Sequence, residues 1–270
     1  MGVRRFSAEY LTDTRRGMWE NREALAPLSL GDRERVLDVG CGTGELTRVL
    51  AEESPGEVVG ADADSDLLAH VAADGRLQAD ATRLPVRDGA FDLVTCQALL
   101  INLPNPVAAV REFSRASSDL VAAIEPDNSE VRVESTVPDE ASLAESARQT
   151  YIEGVETDVT LGRSAASVFE DAGLVDVRTR RHEHVRTVEP PYSPAELESA
   201  QRKATASRLA EQRPTLEAGG MTGSEYDRLR SAWREMGRSA VTQMQDEAYR
   251  RRAMIPFYVT VGRVPDATEA

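Results

Sequence analysis

From residue 34 onward, short apolar runs alternate with stretches in which apolar residues recur every three or four positions. The short runs predict strands at Arg35 to Val39, Glu57 to Asp62, Arg76 to Ala79, Phe91 to Cys96 and Asp119 to Glu125. Between them the longer period predicts helices at Glu45 to Glu53, Ser65 to Ala73 and Pro106 to Ala116. Regular alternation of this kind makes a parallel sheet with helices on both faces, because each helical crossover carries the chain back to the end of the sheet where the previous strand began.

After Glu125 the rhythm changes. Helices are expected from about Asp139 to Ile152 and from Arg163 to Ala172, the second closed by Gly173. Val175 to Val188 reads as a strand, broken by Pro190, Pro191 and Pro194. Two long helices follow, Ala195 to Arg213 and Ser224 to Arg252, separated by a glycine-rich turn at 219–223. In the second, Tyr226, Leu229, Trp233, Met236, Ala240 and Met244 form one apolar stripe. Met254 to Val261 is a last strand, and the first thirty residues read as amphipathic helix.

The first strand runs into Asp38-Val39-Gly40-Cys41-Gly42-Thr43-Gly44 and then a helix. Glycines at a strand-to-helix loop admit positive φ and let a ligand approach the backbone. A phosphate loop is excluded, since no Gly-Lys-Ser/Thr follows. The dinucleotide pattern fails as well, because its sixth position holds Glu45, or Thr47 if read from Gly42. A carboxylate at Glu45 would also compete for the helix N-terminus that a pyrophosphate needs. A nucleoside ligand without phosphate remains.

Residues 36–44 resemble the first motif of class I S-adenosylmethionine-dependent methyltransferases, of the methyltransferase domain 11 type. Further marks stand in the family's order: Asp62 at the second strand's end, Asp80-Ala81 after the third, and Asp88 to Val94 leading through the fourth strand to Gln97. The resemblance covers about residues 30–130 and implies a Rossmann-like, seven-stranded α/β sheet binding S-adenosylmethionine and releasing S-adenosylhomocysteine. It implies that Asp38 orients the cofactor's ammonium group. Gly40, Cys41, Gly42 and Gly44 would pass backbone beneath the cofactor. Asp62, with Ala63 beside it, would accept the ribose hydroxyls, since a carboxylate offers two oxygens. Asp80 and the Ala81 amide would read the adenine, and Gln97 would lie near the methyl group. Leu84-Pro85-Val86 departs from the Leu-Pro-Phe usual in quinone-methylating relatives, so a quinone acceptor is not specifically indicated. The expected organisation is one methyltransferase domain: a helical cap at 1–30, the cofactor core at 31–130, the rest of the core at 131–192, a helical insertion at 193–252 and the last strand at 253–264.

Composition sharpens this in two respects. The net charge is −14, and 31 of the 32 basic residues are arginine, the exception being Lys203. A carboxylate-rich, nearly lysine-free chain resembles proteins of halophilic archaea, where salt screens the self-repulsion within about 3 Å at 1 M. The same charge argues against nucleic acid and leaves a small-molecule acceptor as the expected substrate. Two cysteines exclude a disulfide scaffold. No apolar run reaches the roughly 20 residues of a membrane helix, and the N-terminus shows no export signal, so a cytoplasmic chain is expected.

Other features read as structural. Glu189-Pro190-Pro191-Tyr192 imitates the box of amine methylases but follows the wrong strand, so it reads as a turn. His182 and His184 share a strand face without a third ligand nearby, so no metal is expected. Cys41 and Cys96 read as small buried residues, and Arg250 to Arg252 as a solvated helix end. Glu125, His182 and His184 are placed for general base work if the acceptor must lose a proton, but none is assigned. Arg16 and Trp19 are candidates to pair with the cofactor's carboxylate and to shield it. Two competing functions share these marks: a catalytically silent cofactor-binding sensor, and a nicotinamide oxidoreductase, which Glu45 disfavours.

Overall fold

The structure, a computed structural model, describes residues 7–15 and 17–265. In chain order the helices are α1 (Ala8–Arg15), α2 (Glu45–Glu53), α3 (Ser65–Leu68), α4 (Pro106–Ala116), α5 (Glu140–Gly154), α6 (Ala165–Asp171), α7 (Pro194–Thr205), α8 (Ser207–Glu211), α9 (Arg213–Ala218) and α10 (Gly223–Gln245). The strands are β1 (Arg35–Val39), β2 (Glu57–Asp62), β3 (Gly75–Gln78), β4 (Phe91–Gln97), β5 (Ser117–Pro126), β6 (Arg132–Ser135), β7 (Val175–Val188) and β8 (Arg251–Arg263). The chain divides into two compact units. One takes the chain up to residue 127, residues 160–182 and the chain from 257; the other takes 128–159 and 183–256.

In the first unit the strands run β3-β2-β1-β4-β5 in parallel, and the second half of β8 lies antiparallel to β5, Ala122 facing Val261. β7 pairs with β8. The central strands are apolar almost throughout because helices cover both faces. Leu37, Val94, Phe113 and Phe169 are fully buried at the centre of that core. Asn105 caps α4 through the Ala108 amide, with Pro106 in the first turn, as its sequence predicts. The order reverses beside β1, so the loops after β1 and β4 open a crevice at the strand C-termini.

The second unit holds α5, α7 to α10, and β6 antiparallel to the first half of β8, Arg132 facing Met254. The apolar stripe of α10 holds: Tyr226, Met236, Ala240 and Met244 are buried. Its start is a capping box between Thr222 and Glu225. Two backbone contacts need glycine. A Cβ on Gly219 would stand 2.1 Å from the Thr150 carbonyl oxygen, where α9 is followed by a turn against α5. One on Gly237 would stand 2.4 Å from the carbonyl carbon of Lys203, where α10 crosses α7.

Five expectations change. The helix expected at 224–252 ends at Gln245, and Arg251 and Arg252 open β8, so the basic run at 250–252 is not a helix end. The N-terminal helix ends at Arg15, and Gly17 turns with φ +72° into 3-10 turns around Pro27. The helix expected at 65–73 stops at Leu68, since Val71 folds inward against Cys41 and Leu68. The helix expected at 195–213 is broken at Ala206, which adopts φ +52° to bury itself beside Leu209 and Tyr226, and Pro214 restarts the chain in α9. β6 was not expected, because Val133 is its single apolar residue.

Candidate functional site

All ten residues expected to hold the cofactor lie in the first unit, at or just beyond the C-terminal ends of β1 to β4. The loop after β1 is built on left-handed glycines. Gly40 has φ +68° and Gly42 φ +57°, and a Cβ on either would press on a neighbour, Leu99 at 2.8 Å and Leu11 at 2.9 Å. The Gly40 and Cys41 amides both donate to the Ala61 carbonyl, at 2.7 and 3.0 Å, which ties the loop to β2. Gly44 caps α2 in the same left-handed region. Cys41 is buried against Leu68 and Val71, and burial raises its thiol well above the usual range, so it is a packing residue.

Asp38 is buried, and only one of its oxygens is satisfied. Oδ2 accepts from the Thr47 hydroxyl at 2.6 Å, while Oδ1 has no partner among the described residues. Burial raises its acid to about 7, against the pull of Thr47 and Arg15. A buried carboxylate oxygen without a donor is a place where a cation is wanted. Asp62 uses one lone pair on each oxygen, accepting from the Gly42 amide at 2.8 Å and the Asp64 amide at 2.9 Å, so each oxygen keeps capacity for one further donor. Ala63 is exposed and its carbonyl accepts from Gln78 at 3.2 Å. Asp80 is exposed; its Oδ1 takes the Thr82 amide and hydroxyl, both at 2.7 Å, and these bonds hold its acid below the ordinary value. Ala81 beside it is buried.

At the end of β4, Gln97 is buried with its Oε1 unpartnered among the described residues and its Nε2 2.8 Å from Met18 Sδ. The turn beyond it is held by Glu125, which accepts the amides of Leu99 at 3.0 Å, Leu100 at 2.8 Å and Ile101 at 3.4 Å. Burial pushes Glu125 up to about 7, while those three donors favour its charged form. A carboxylate so engaged anchors a loop and is not the free base that its place in the sequence suggested.

The N-terminal segment covers the loop, and here sequence reasoning missed the important residues. Leu11 and Arg15, one helical turn apart, both lie against Gly42, with Arg15 Nη1 3.1 Å from its Cβ position. Arg15 reaches Glu45 at 3.4 Å, and Glu45 also takes the Thr12 hydroxyl at 3.2 Å and the Thr43 hydroxyl at 2.7 Å. Met18 and Trp19 are buried behind them, and the Trp19 indole N–H has no partner among the described residues. A cavity of about 450 Å³ opens beside this segment, lined by Thr12, Arg15, Trp19, Glu20, Arg22, Glu45 and Arg48. Arg16, the cation expected from the sequence, lies outside the described residues. The i, i+4 spacing of Leu11 and Arg15 was the available signal.

The remaining candidates fall elsewhere. Tyr192 donates to the Tyr249 carbonyl at 2.9 Å in the second unit, so the Pro-Pro-Tyr turn is an internal clamp. His184 is buried in that same unit, whereas His182 belongs to the first. Among the described residues no three His, Cys, Asp or Glu gather to hold a metal ion, and no helix is long and apolar enough to cross a membrane.

Comparison with known proteins adds an independent line. The profile of a family described as a methyltransferase domain matches residues 37–119. The chain is 31% identical over 171 residues to a demethylmenaquinone methyltransferase of Lactiplantibacillus plantarum, covering 59% of this chain and 68% of that one. A demethylmenaquinone methyltransferase of Thermus thermophilus is 39% identical over 106 residues, 36% of this chain and 48% of its own length. In structure, a candidate methyltransferase from Bacillus halodurans superposes with a TM-score of 0.52 at 16% identity, covering 91% of this chain and all of that one. That likeness concerns the fold.

Proposed function

The chain belongs to the class I S-adenosylmethionine-dependent methyltransferases, and from that membership we propose that it methylates a small-molecule acceptor at the crevice where Asp38, Gly42, Asp62 and Gln97 meet. When bound, S-adenosylmethionine supplies a methyl group on a sulfonium, which an acceptor atom takes in line as the thioether leaves. The observation that carries the site assignment is the unpartnered Oδ1 of buried Asp38 beside three left-handed glycine positions.

The residues fit the cofactor group by group. Asp38 Oδ1 suits the ammonium, since its Oδ2 is already fixed by Thr47. Arg15, half-buried over Gly42, suits the carboxylate, and it would exchange its long contact with Glu45 for one closer to the loop. The spare lone pairs of Asp62 suit two ribose hydroxyls, and the free oxygen of Asp80 with the Ala81 amide suits the adenine edge. Gln97 Oε1 lies at the end of β4, where the methyl would be presented. Leu11, Met18 and Trp19 would keep water out. Alignment and dryness are what a protein contributes to such a transfer.

The family's sequence marks stop near residue 130, so the acceptor is read from outside them. The demethylmenaquinone relatives favour a C-methylation, whereas Val86 removes one mark of that class. The reading therefore stays at a small organic acceptor. The nearly lysine-free basic set and the charge of −14 support a protein of a halophile's cytoplasm.

The test is binding of S-adenosylhomocysteine and of methylthioadenosine, which lacks the amino-acid end. The unaltered chain is expected to bind both, homocysteine form tighter. Arg15→Ala should weaken S-adenosylhomocysteine about tenfold or more, as loss of a charge-assisted pair does, and leave methylthioadenosine unchanged. No binding of either by folded protein would sink the site assignment. An equal loss for both ligands would remove Arg15 from the carboxylate.

A further inference from the structure

Thirty-one of this chain's 32 cationic side chains are arginine, so the one lysine marks a place with different requirements. Lys203 lies on α7 in the second unit, where its backbone presses on Gly237 of α10 and fixes the side chain's origin. Its Nζ donates to Glu140 Oε1 at 2.5 Å and to the Tyr249 hydroxyl at 2.9 Å. Arg251 Nε donates to that same Glu140 oxygen at 3.0 Å. Tyr249 and Ser135 supply the other bonds to Glu140, at 2.8 and 2.6 Å on Oε2.

The donor and charge balance is uneven. Glu140 is buried and fully bonded. An ammonium carries three N–H groups and a guanidinium five. One donor of Lys203 and the four Nη donors of Arg251 have no acceptor among the described residues. Two cationic heads bond one carboxylate oxygen, so they stand side by side with a single negative charge between them. The charge of Arg186 bears on Lys203 as well, and burial together with these neighbours lowers the Lys203 ammonium to about 8. Neither side chain is sealed off, about a fifth of each being exposed.

We propose that Lys203 and Arg251 form a binding site for a small oxyanion, a phosphate or carboxylate group, in the helical unit. The anion would take the spare N–H of Lys203 and the Nη face of Arg251, opposite the shared oxygen of Glu140, and bring the local charge to balance. Arginine's planar fork suits such oxygens, and the ammonium, with two donors on Glu140 and Tyr249, keeps a third for the ligand.

Because the lysine is unique, the unaltered full chain provides the test. Acetylation of Lys203 by an amine-reactive ester is followed by peptide mass, with the N-terminal amine as internal reference. Sodium phosphate, then sodium acetate, replaces sodium chloride at constant ionic strength and pH. A saturable, several-fold slowing at Lys203 alone is expected; slowing by phosphate but not acetate would assign a phosphate head, and by both a carboxylate-tolerant one. Equal rates in all three salts would overturn the proposal. Thermal unfolding of Arg251→Gln gives a second reading: its Tm should lose the saturable rise with the anion. A rise retained in that variant at wild-type size would equally overturn it.

Discussion

Asp38 and Glu125 are carboxylates in the same unit with opposite needs. Glu125 accepts three amides and has a donor on each oxygen, whereas Asp38 Oδ1 is bare. Both are raised to about 7 by burial, so the folded chain holds protons that the unfolded chain has released. Ligand-free stability should therefore fall as pH rises from about 4 to 7, as urea midpoints across that range would show. Ligand binding should run the other way. An ammonium needs ionised Asp38, so the affinity for S-adenosylhomocysteine should drop below pH 7, by at most tenfold per unit, and Asp38→Asn should flatten the profile. A slope unchanged in Asp38→Asn would mean another group titrates. The residues expected from sequence at this site are brought together, since each sits at a strand end and strand ends are where period and glycines are easiest to read. Arg15, Thr47 and Met18 were not read because their partners are 27, 9 and 79 residues away, in contacts that only folding creates.

At the scale of elements, two kinds of glycine make contrasting predictions. Gly219 has ordinary φ, but a methyl there meets backbone at 2.1 Å, so Gly219→Ala must part α9 from α5 and should cost about 3 kcal/mol or more. Gly173 has φ +91° and open space around its Cβ position, so Gly173→Ala should cost only the left-handed penalty of about 1–2 kcal/mol. Guanidinium unfolding of the two variants checks the order, and a milder effect at Gly219 would mean the helices separate freely. Strands β1, β2, β4 and helices α2 and α4 were legible to within a residue or two, because both faces of the sheet are covered and the apolar pattern is strong. β6 was silent for want of apolar residues, and the segment at 195–218 read as one helix because Ala206 carries no mark of the turn it makes.

For the whole molecule, a net charge of −14 is a self-repulsion that salt would screen. Its arginines are drawn into carboxylate pairs on the surface, such as Arg22 with Glu52 and Glu53, or Arg115 with Asp88 and Glu112. Exposed pairs contribute little singly, so they do not offset the net charge. The melting temperature is expected to climb from dilute buffer to molar KCl, and a flat or falling curve would remove the halophile reading. The division into two units was not legible, because β7 and β8 continue through it without a break in pattern. The protein nonetheless carries an internal means of observing it. Its two tryptophans fall one to each unit: Trp19 buried in the first, Trp233 packed between Met236 and Tyr226 clusters of the second. Replacing either by phenylalanine leaves a single indole emitter. Fluorescence then reports the unfolding of each unit separately, and coincident or staggered curves would tell whether the chain melts as one cooperative body or as two.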